Sequence, residues 1–524
     1  PIIGVQIENE YGHVGGFRGE EGQEHMRTLQ RMAKEIGFDV PLYTATGWGG
    51  AVIGDCLPVM GGYCEAPWAQ NLNEPPASPN YLFTDKRNDT MIASDHRVGS
   101  ELTFDMGEYP FLTAELGGGI QVTRHRRPVA SGKDIGAMTL AKLGCGAVML
   151  GYYMYHGGTN PEGKLSTLEE NKASGSLNDL PIKNYDFNAP LRQYGSISDT
   201  YKELKLWTYF VQDYGEMLAP LELNRTTEVR DSADIETLRL AIRSATNHEG
   251  EEYGFLFFNN YLRRHVMKSH TTDNVAGVLH SLNLDFPTFS VKNQDFGAFP
   301  FHLDFSGHTL VHAHATPFCT LHVDGEEYHV FQGDRDPQFV WKDTPAKHIH
   351  LTRAEALNTY KINWDQEYLL LAQDAVWLAD NTLHVAGGLQ TEIKSYPALQ
   401  SIPKGFVSSG MDGFWTVYRR VIEAQLPGLD IEDMLLEDGK VQYNIRLDYA
   451  QANIASLEKM HNSNIIAKIR YVGESLEIYS GDLLLNDHYY TGQEVPIYLR
   501  YFDYPNSLRV VITPLSHDTP VFLD

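Results

Sequence analysis

Cysteine is scarce in this sequence, which has four in 524 residues. They stand at positions 56, 64, 145 and 319, and no two of them form a CxxC pair. So few and so widely spaced thiols exclude a disulfide framework, a structural zinc site of the CxxC type and a thioredoxin-like redox motif. We therefore expect free thiols and a fold that is stabilised by its own core.

Positive charge is also scarce, since 42 Lys and Arg face 68 Asp and Glu, for a formal net charge of −26. Binding to nucleic acid or to an anionic membrane surface depends on clustered Lys and Arg, so the composition argues against both kinds of partner. No apolar run approaches the roughly 20 residues that span a bilayer, so we expect a soluble protein without membrane insertion. The compartment is left open, including secretion and the periplasm.

Carboxylates stand where an apolar segment ends. The run Ile2–Ile7 leads directly into Glu8, Asn9 and Glu10, and Gly12 follows. In a (β/α)8 barrel the C-terminal ends of the strands carry the catalytic groups. Side chains alternate along a strand, so Glu8 and Glu10 should share one face unless the strand ends there.

A second acid of this kind is Glu115, which follows the short apolar stretch Phe111–Ala114 and precedes Gly117, Gly118 and Gly119. The spacing between Glu10 and Glu115 leaves room for about three βα repeats. Glycosidic bond cleavage needs one carboxyl group that donates a proton and one that is ionised. Two strand-end acids in one barrel could supply both.

In these segments the chain resembles the family 35 glycoside hydrolases, the β-galactosidases. The resemblance rests on residues 1–11 and on the block from Tyr152 to Asn160. It implies that Glu10 is the general acid/base, that Glu115 is the nucleophile and that Asn9 binds the sugar hydroxyl beside the anomeric carbon. It further implies a galactose contact for Tyr153, with Tyr155 as a weaker candidate, and a retaining reaction, in which the carboxyl groups lie about 5–5.5 Å apart. Glu8 is expected to be a structural neighbour.

Strand candidates lie near residues 2–7, 40–45, 56–60, 110–115 and 147–153, with amphipathic helices between some of them. One helix is predicted over 20–37, with Met26, Leu29, Ala33 and Ile36 on its inner face. Another is predicted to start at Ser131 and to bury Ile135, Met138 and Leu143. These amount to about the last five βα units of a TIM barrel, whose closure takes eight strands. We therefore expect a partial barrel that begins at the fourth strand, in an incomplete copy whose activity alone is doubtful.

Beyond residue 215 the helical periodicity fades into short strands bounded by turn residues. The stretch Gly473–Leu485 predicts a hairpin that turns at Ser480–Asp482. We expect a partial barrel over 1–215, a small β domain over 216–330 and a β-sandwich, jelly-roll-like region over 331–524. The fold class is thus a multidomain α/β plus all-β protein, in which the sandwich primarily packs and shapes the barrel.

The predicted function is a retaining exo-β-galactosidase that removes terminal non-reducing β-D-galactose from oligosaccharides or glycoconjugates. No cofactor is expected. His312/His314 and His348/His350 each place two imidazoles on one strand face, but no acid or thiol completes a set, so no metal is expected. The alternatives are a non-catalytic carbohydrate-binding or scaffold protein and a related exo-glycosidase such as a β-glucosaminidase. The oligomeric state is left open.

Overall fold

The structure is a computed structural model that describes residues 2–13, 15–66, 68–85, 87, 102–165, 167–423, 426–450 and 464–524. Pro1 of the first family segment lies outside these ranges. The N-terminal part is a curled parallel sheet, a half-barrel with helices beside it. Its strands, in their spatial order, are β1 (Val5–Asn9), β2 (Leu42–Ala45), β3 (Leu57–Gly62), β4 (Thr113–Gly117) and β6 (Tyr152–Tyr153). The five strands predicted from the sequence are confirmed, and all of them run parallel.

The first predicted helix is α1 (Gly19–Glu35), and it carries Glu20 and Glu21 in its first turn, where negative charge suits the helix dipole. Met26 and Ala33 are buried as expected, and Leu29 is half-buried. The prediction that Ile36 faces inward is wrong, because its side chain is 76% exposed. The helix ends at Glu35, and after Gly37, with a φ of 101°, Phe38 rather than Ile36 packs in the cluster with Met26 and Ala33.

The second predicted helix is α2 (Gly132–Gly144), which begins as the sequence indicates. The Ser131 hydroxyl accepts a hydrogen bond from the Asp134 amide, and the Asp134 carboxylate accepts one from the Ser131 amide. Ile135, Met138 and Leu143 are all buried. The third helix, α3 (Asp199–Leu218), leads out of the half-barrel.

The remainder of the described chain is mostly antiparallel sheet. The first large sheet, of six strands, contains β9 (Glu222–Thr226), β10 (Arg239–Thr246), β11 (Glu252–Asn260), β12 (Asp295–Phe305), β13 (His308–His312) and β16 (Val340–Trp341). A three-stranded sheet contains β14 (Thr316–Val323), β15 (Glu326–Gln332) and β17 (His348–Leu351), the last of which runs parallel to β15. Two short helices, α4 (Thr272–Ser281) and α5 (Arg353–Asn358), lie in this part.

Two five-stranded sheets follow. The first contains β18 (Thr359–Asn363), β19 (Glu367–Ala372), β22 (Gln390–Tyr396), β23 (Val407–Asp412) and β24 (Trp415–Val421). The second, called here the C-terminal sheet, contains β25 (Gly428–Leu435), β26 (Val441–Asp448), β28 (Ser475–Ser480), β29 (Leu483–Tyr489) and β31 (Ser507–Thr513). Strands β28 and β29 form the predicted hairpin.

Four small pairs complete the strands. They are β5 (Arg126–Arg127) with β32 (Phe522–Leu523), β7 (Gly158–Thr159) with β8 (Asn184–Tyr185), β20 (Val376–Ala379) with β21 (Thr382–Val385), and β27 (Ile466–Ile469) with β30 (Val495–Tyr498). The β5–β32 pair is parallel and joins the end of the described chain to the half-barrel part. None of the helices in the described residues is long and apolar enough to cross a membrane.

The main hydrophobic core is shared between the half-barrel part and the first large β sheet. Phe210 of α3 packs edge-to-face on Phe255 of β11, with ring centroids 5.5 Å apart. Ile135 and Met138 of α2 belong to the same buried cluster as Phe257. The division near residue 215 therefore crosses a continuous core, and the three-part domain organisation stays a prediction.

Candidate active site

The two acids singled out in the sequence meet at the C-terminal ends of their strands. Glu10 directly follows β1 and is 9% exposed, while Glu115 lies near the end of β4 and is half-buried. Strands β2 and β3 separate them, yet the curl of the sheet brings the two carboxyl groups into contact, where they share a hydrogen bond and feel each other's charge.

The electrostatics of this acid pair follow from burial without a compensating cation. Burial, the charge of Glu10 and the hydrogen bond shared with Glu10, in that order, raise the pKa of Glu115 well above its ordinary value of 4.5. Among the ion pairs formed by the described residues, none involves Glu10 or Glu115. Beside Glu10, the half-buried Glu115 therefore favours its protonated form at pH values where an exposed glutamate is ionised.

The sequence analysis missed a third member of the site, Tyr63. It follows the end of β3, is 1% exposed, and its hydroxyl donates a hydrogen bond to Oε1 of Glu115 over 3.0 Å. Burial and the charge of Glu115 raise the pKa of Tyr63 well above its ordinary value, so the hydroxyl keeps its proton and remains a donor. The signal was available, because Tyr63 follows a strand and two glycines just as the acids stand at strand ends.

The backbone around Glu10 departs from the alternation expected of a strand. The pairing of β1 with β2 shifts register between Gln6 and Asn9, and Glu8 has a φ of 58° and Glu10 a φ of 51°. Glu8 is thereby exposed and its carboxylate pairs with Nε2 of His25 at 2.9 Å, while Glu10 turns inward. The two acids do not share a face, because β1 ends at Asn9, which is the exception stated for the alternation. Left-handed non-glycine residues are uncommon and gather at functional sites.

The glycines after Glu115 allow other loops to approach the acid pair closely. A Cβ added at Gly118 would lie 2.2 Å from the carbonyl oxygen of Met154, and one at Gly119 would lie 2.2 Å from that of Phe187. Both distances are far below any tolerated contact, so only glycine fits there. The run of three glycines that marked this segment in the sequence thus brings the loops bearing Met154 and Phe187 against β4.

An aromatic wall lies beside the acid pair. It consists of the clustered residues Trp48, Tyr63, Trp68, Met154, Tyr185 and Phe187, together with Tyr153. The hydroxyls of Tyr153 and Tyr185 are hydrogen-bonded at 2.9 Å, and the Tyr153 ring packs edge-to-face on Phe187 at 5.4 Å. Burial is the main cause that raises the pKa of both tyrosines, and the charge of Glu115 adds to it. The two hydroxyls therefore lie within the electric field of Glu115. Such a wall suits a ligand with both apolar and hydroxyl faces.

The other three predicted site residues lie in different surroundings. Tyr153 is 38% exposed and lies in the wall beside Glu115. Asn9 is exposed at the end of β1, and its side-chain oxygen accepts a hydrogen bond from Nε2 of Gln6 over 3.2 Å. Tyr155 lies at the edge of the main core, between Tyr152 and Tyr201, with ring centroids 6.0 and 6.4 Å away. The acids and Tyr153 come together, whereas the ring of Tyr155 packs inward.

Within the ranges that the structure describes, no group of three or more His, Cys, Asp and Glu side chains could hold a metal ion. His312 and His314 pack beside the Phe286 ring. Burial lowers the pKa of His314 to about 4, and its Nε2 faces the carbonyl oxygen of Pro287 at 3.2 Å.

Comparison with known proteins agrees with this geometry. Residues 1–211 match the family model described as glycosyl hydrolases family 35. A protein of Arabidopsis thaliana named beta-galactosidase 10 is 26% identical over 197 residues, which are 37% of this chain and 20% of that protein. One of Oryza sativa subsp. japonica named beta-galactosidase 12 is 27% identical over 161 residues, 30% of this chain and 14% of that protein. The matched part thus spans a fifth or less of these relatives.

Proposed function

We propose that this chain, whose residues 1–211 match the family 35 glycosyl hydrolase model, is a retaining exo-β-galactosidase. Its substrates would be oligosaccharides or glycoconjugates that end in non-reducing β-D-galactose. The observation that carries the proposal is the contact at strand ends between Glu10, which is buried, and Glu115, which is half-buried, with no ion pair to either acid among the described residues. A retaining glycosidase needs two close carboxyl groups of which one holds a proton.

In the proposed reaction an oxygen of Glu115 attacks the anomeric carbon while the bond from that carbon to the leaving oxygen breaks. Glu10 gives its proton to the leaving oxygen. A water molecule then attacks the same carbon and gives a proton to Glu10, and Glu115 is released. The Tyr63 hydroxyl supports this assignment, since its hydrogen bond to Glu115 favours the ionised form of the carboxyl group that is proposed to attack.

The substrate contacts are proposed on the resemblance and on placement. Asn9, next to Glu10, would bind the sugar hydroxyl beside the anomeric carbon after its side chain leaves Gln6. Tyr153 would contact galactose through its exposed hydroxyl and ring edge. Tyr155 is the weaker candidate, because its ring packs against Tyr152 and Tyr201.

The test is hydrolysis of chromogenic glycosides that differ only in the sugar: β-galactoside, β-glucoside and β-N-acetylglucosaminide. It is made on this chain and on a form extended by further βα units, because the described parallel sheet has five strands and closure takes eight. We expect release from the β-galactoside, faster in the extended form, and a first sugar product with the β configuration by NMR. A first product with the α configuration, or preference for the glucosaminide, would contradict the proposal.

A second candidate is galactoside binding without turnover. The observation that favours it is the open side of the half-barrel, where Glu8 and Asn9 are exposed beside the acid pair. A site with one wall missing positions the sugar less firmly, and catalysis is more sensitive to position than binding is. Galactoside binding by calorimetry in a protein that hydrolyses none of the three glycosides, in either form, would establish this candidate.

A further inference from the structure

The segment 182–193 carries part of the aromatic wall, although it lies beyond the last strand of the parallel sheet. It includes β8 and supplies Tyr185, whose hydroxyl meets that of Tyr153, and Phe187, whose ring packs on Tyr153. We call this segment the wall loop. Its position decides where two of the aromatic side chains stand relative to Glu115, so whatever holds it also shapes the site.

The first end of the wall loop is held by a side chain of the C-terminal sheet. Asp487 of β29 is 8% exposed, and its carboxylate accepts hydrogen bonds from three consecutive backbone amides. The Ile182 amide donates to Oδ2 over 2.6 Å, and the Lys183 and Asn184 amides donate to Oδ1 over 2.8 and 3.2 Å. These three residues directly precede Tyr185.

The far end of the wall loop is held by the neighbouring residue of the same strand. Asn486, 2% exposed, donates from Nδ2 to Oε1 of Gln193 over 3.1 Å. The Gln193 amide in turn donates to Oδ2 of Asp186 over 2.7 Å, which ties this end back to the middle of the loop. Two consecutive side chains of β29 therefore clamp both ends of one loop.

Burying the carboxylate of Asp487 costs free energy, and its hydrogen bonds to the wall loop offset that cost. Burial raises its pKa and the charge of Glu477 adds to the shift, while the three amides favour the ionised form. Among the described residues, no Lys, Arg or His forms an ion pair with Asp487. Its partners are backbone amides of the wall loop, and a charged acceptor binds such donors more strongly than a neutral one does.

We propose that Asp487, with Asn486, is a positioning residue by which the C-terminal sheet sets the wall loop and hence the affinity of the site for its sugar. The inference rests on the proposed function, since the affinity that Asp487 would set is that of the proposed sugar site. It also predicts that the C-terminal sheet contributes to the active site without touching the reacting atoms. A role limited to fastening two parts of the chain would leave affinity unchanged.

The first test is hydrogen–deuterium exchange on the full chain with Asp487→Asn, which keeps the shape of the side chain but replaces a carboxylate oxygen with an amide group. We expect amides in 182–193 to exchange about tenfold faster or more. Asp482→Asn, an exposed residue of the hairpin turn in the same sheet, is the matched control and should exchange like the parent chain. Unchanged exchange in the Asp487 variant overturns the clamp. Asn486→Ala, which removes the bond to Gln193 and the side-chain acceptor of the Asp487 amide, serves if Asp487→Asn does not fold.

The second test is kinetic and uses the β-galactoside substrate. We expect Asp487→Asn to raise KM about fivefold with kcat within about twofold, because the loop bears binding groups and not the acid pair. Tyr185→Phe should raise KM as well, and the double variant should resemble Tyr185→Phe alone. Additive effects, or a loss confined to kcat, would overturn the proposed route through Tyr185. If neither this chain nor the extended form hydrolyses a galactoside, the proposed function fails, while the exchange test still judges the clamp.

Discussion

Two groups of carboxylates in the half-barrel part have opposite electrostatic surroundings. Glu10 and Glu115 touch each other and form no ion pair with any residue that the structure describes. Glu65, two residues after Tyr63, receives Arg263 at 3.0 Å and Arg264 at 2.7 Å. Asp134, also buried, receives Arg263 at 2.6 Å and the hydroxyl of Tyr261 at 2.8 Å. We call the second group the arginine network.

The comparison teaches that burial alone does not mark a functional acid. Both groups are removed from water, and burying an uncompensated charge is costly. The arginine network offsets that cost with opposite charges, so its acids serve as fixed structural anions. The acid pair offsets it by keeping a proton, and a retained proton is what an acid catalyst needs. The absence of compensation is therefore the informative feature.

The largest expected effect is on turnover when the acid pair is broken. Glu115→Gln should lower kcat by about 10³-fold or more, in whichever form of the protein hydrolyses the β-galactoside, because the amide cannot attack the anomeric carbon. Glu8→Gln is the control, since Glu8 is exposed and pairs with His25. Equal activity of the Glu115 variant and the parent would remove the acid pair from the mechanism.

Breaking the arginine network should instead affect stability. Arg263→Met leaves Asp134 without a cation and Glu65 with one fewer, which should lower the free energy of unfolding by about 3–5 kcal/mol. The measurement is urea unfolding followed by circular dichroism. Arg230→Met, which breaks the exposed pair with Glu228, should leave the midpoint where it is. A midpoint for the Arg263 variant equal to that control would show that the network carries no stability.

A milder change should shift the pKa of Glu115 and leave both carboxyl groups in place. Tyr63→Phe removes the donor that lowers the pKa of Glu115, so that pKa rises further and the ionised nucleophile forms at higher pH. We expect kcat/KM about tenfold lower and its rising acid limb moved to higher pH. Tyr214→Phe is the control, a buried tyrosine whose hydroxyl donates to the Cys319 carbonyl oxygen instead. An unmoved limb would contradict the role of Tyr63.

The smallest expected effect is on the pH dependence of stability. The folded-state pKa of Glu115 lies above its ordinary value of 4.5, so the folded state binds more protons and stability falls as pH rises through this window. Replacing Glu115 with Gln removes that fall. Between pH 5 and pH 8 the melting temperature of the variant should drop less than that of the parent, by about 1–3 °C. The Glu8→Gln chain should follow the parent, and an equal drop in all three chains would refute the assignment.

Local patterns predicted much of the half-barrel because they act over a few residues. The apolar runs that end in Glu10 and Glu115 marked two of the five parallel strands, and the N-cap residue Ser131 marked the start of α2. The turn at Gly481, with a φ of 58°, marked the hairpin. Each of these features satisfies its own backbone within one turn or one strand, so the neighbouring sequence is sufficient to specify it.

The sequence by itself determined which acids stand at strand ends and which segments are strands, helices and turns, since these depend on alternation, capping and backbone freedom. Only the tertiary structure decided what those groups meet. The Tyr63 hydroxyl reaches an acid 52 positions away, and Asp487 reaches amides 303 to 305 positions away. It also turned Glu8 outward at a register shift in β1. The physical reason is that hydrogen bonds and charges act through space, and the curl of a sheet rather than any local pattern sets those distances.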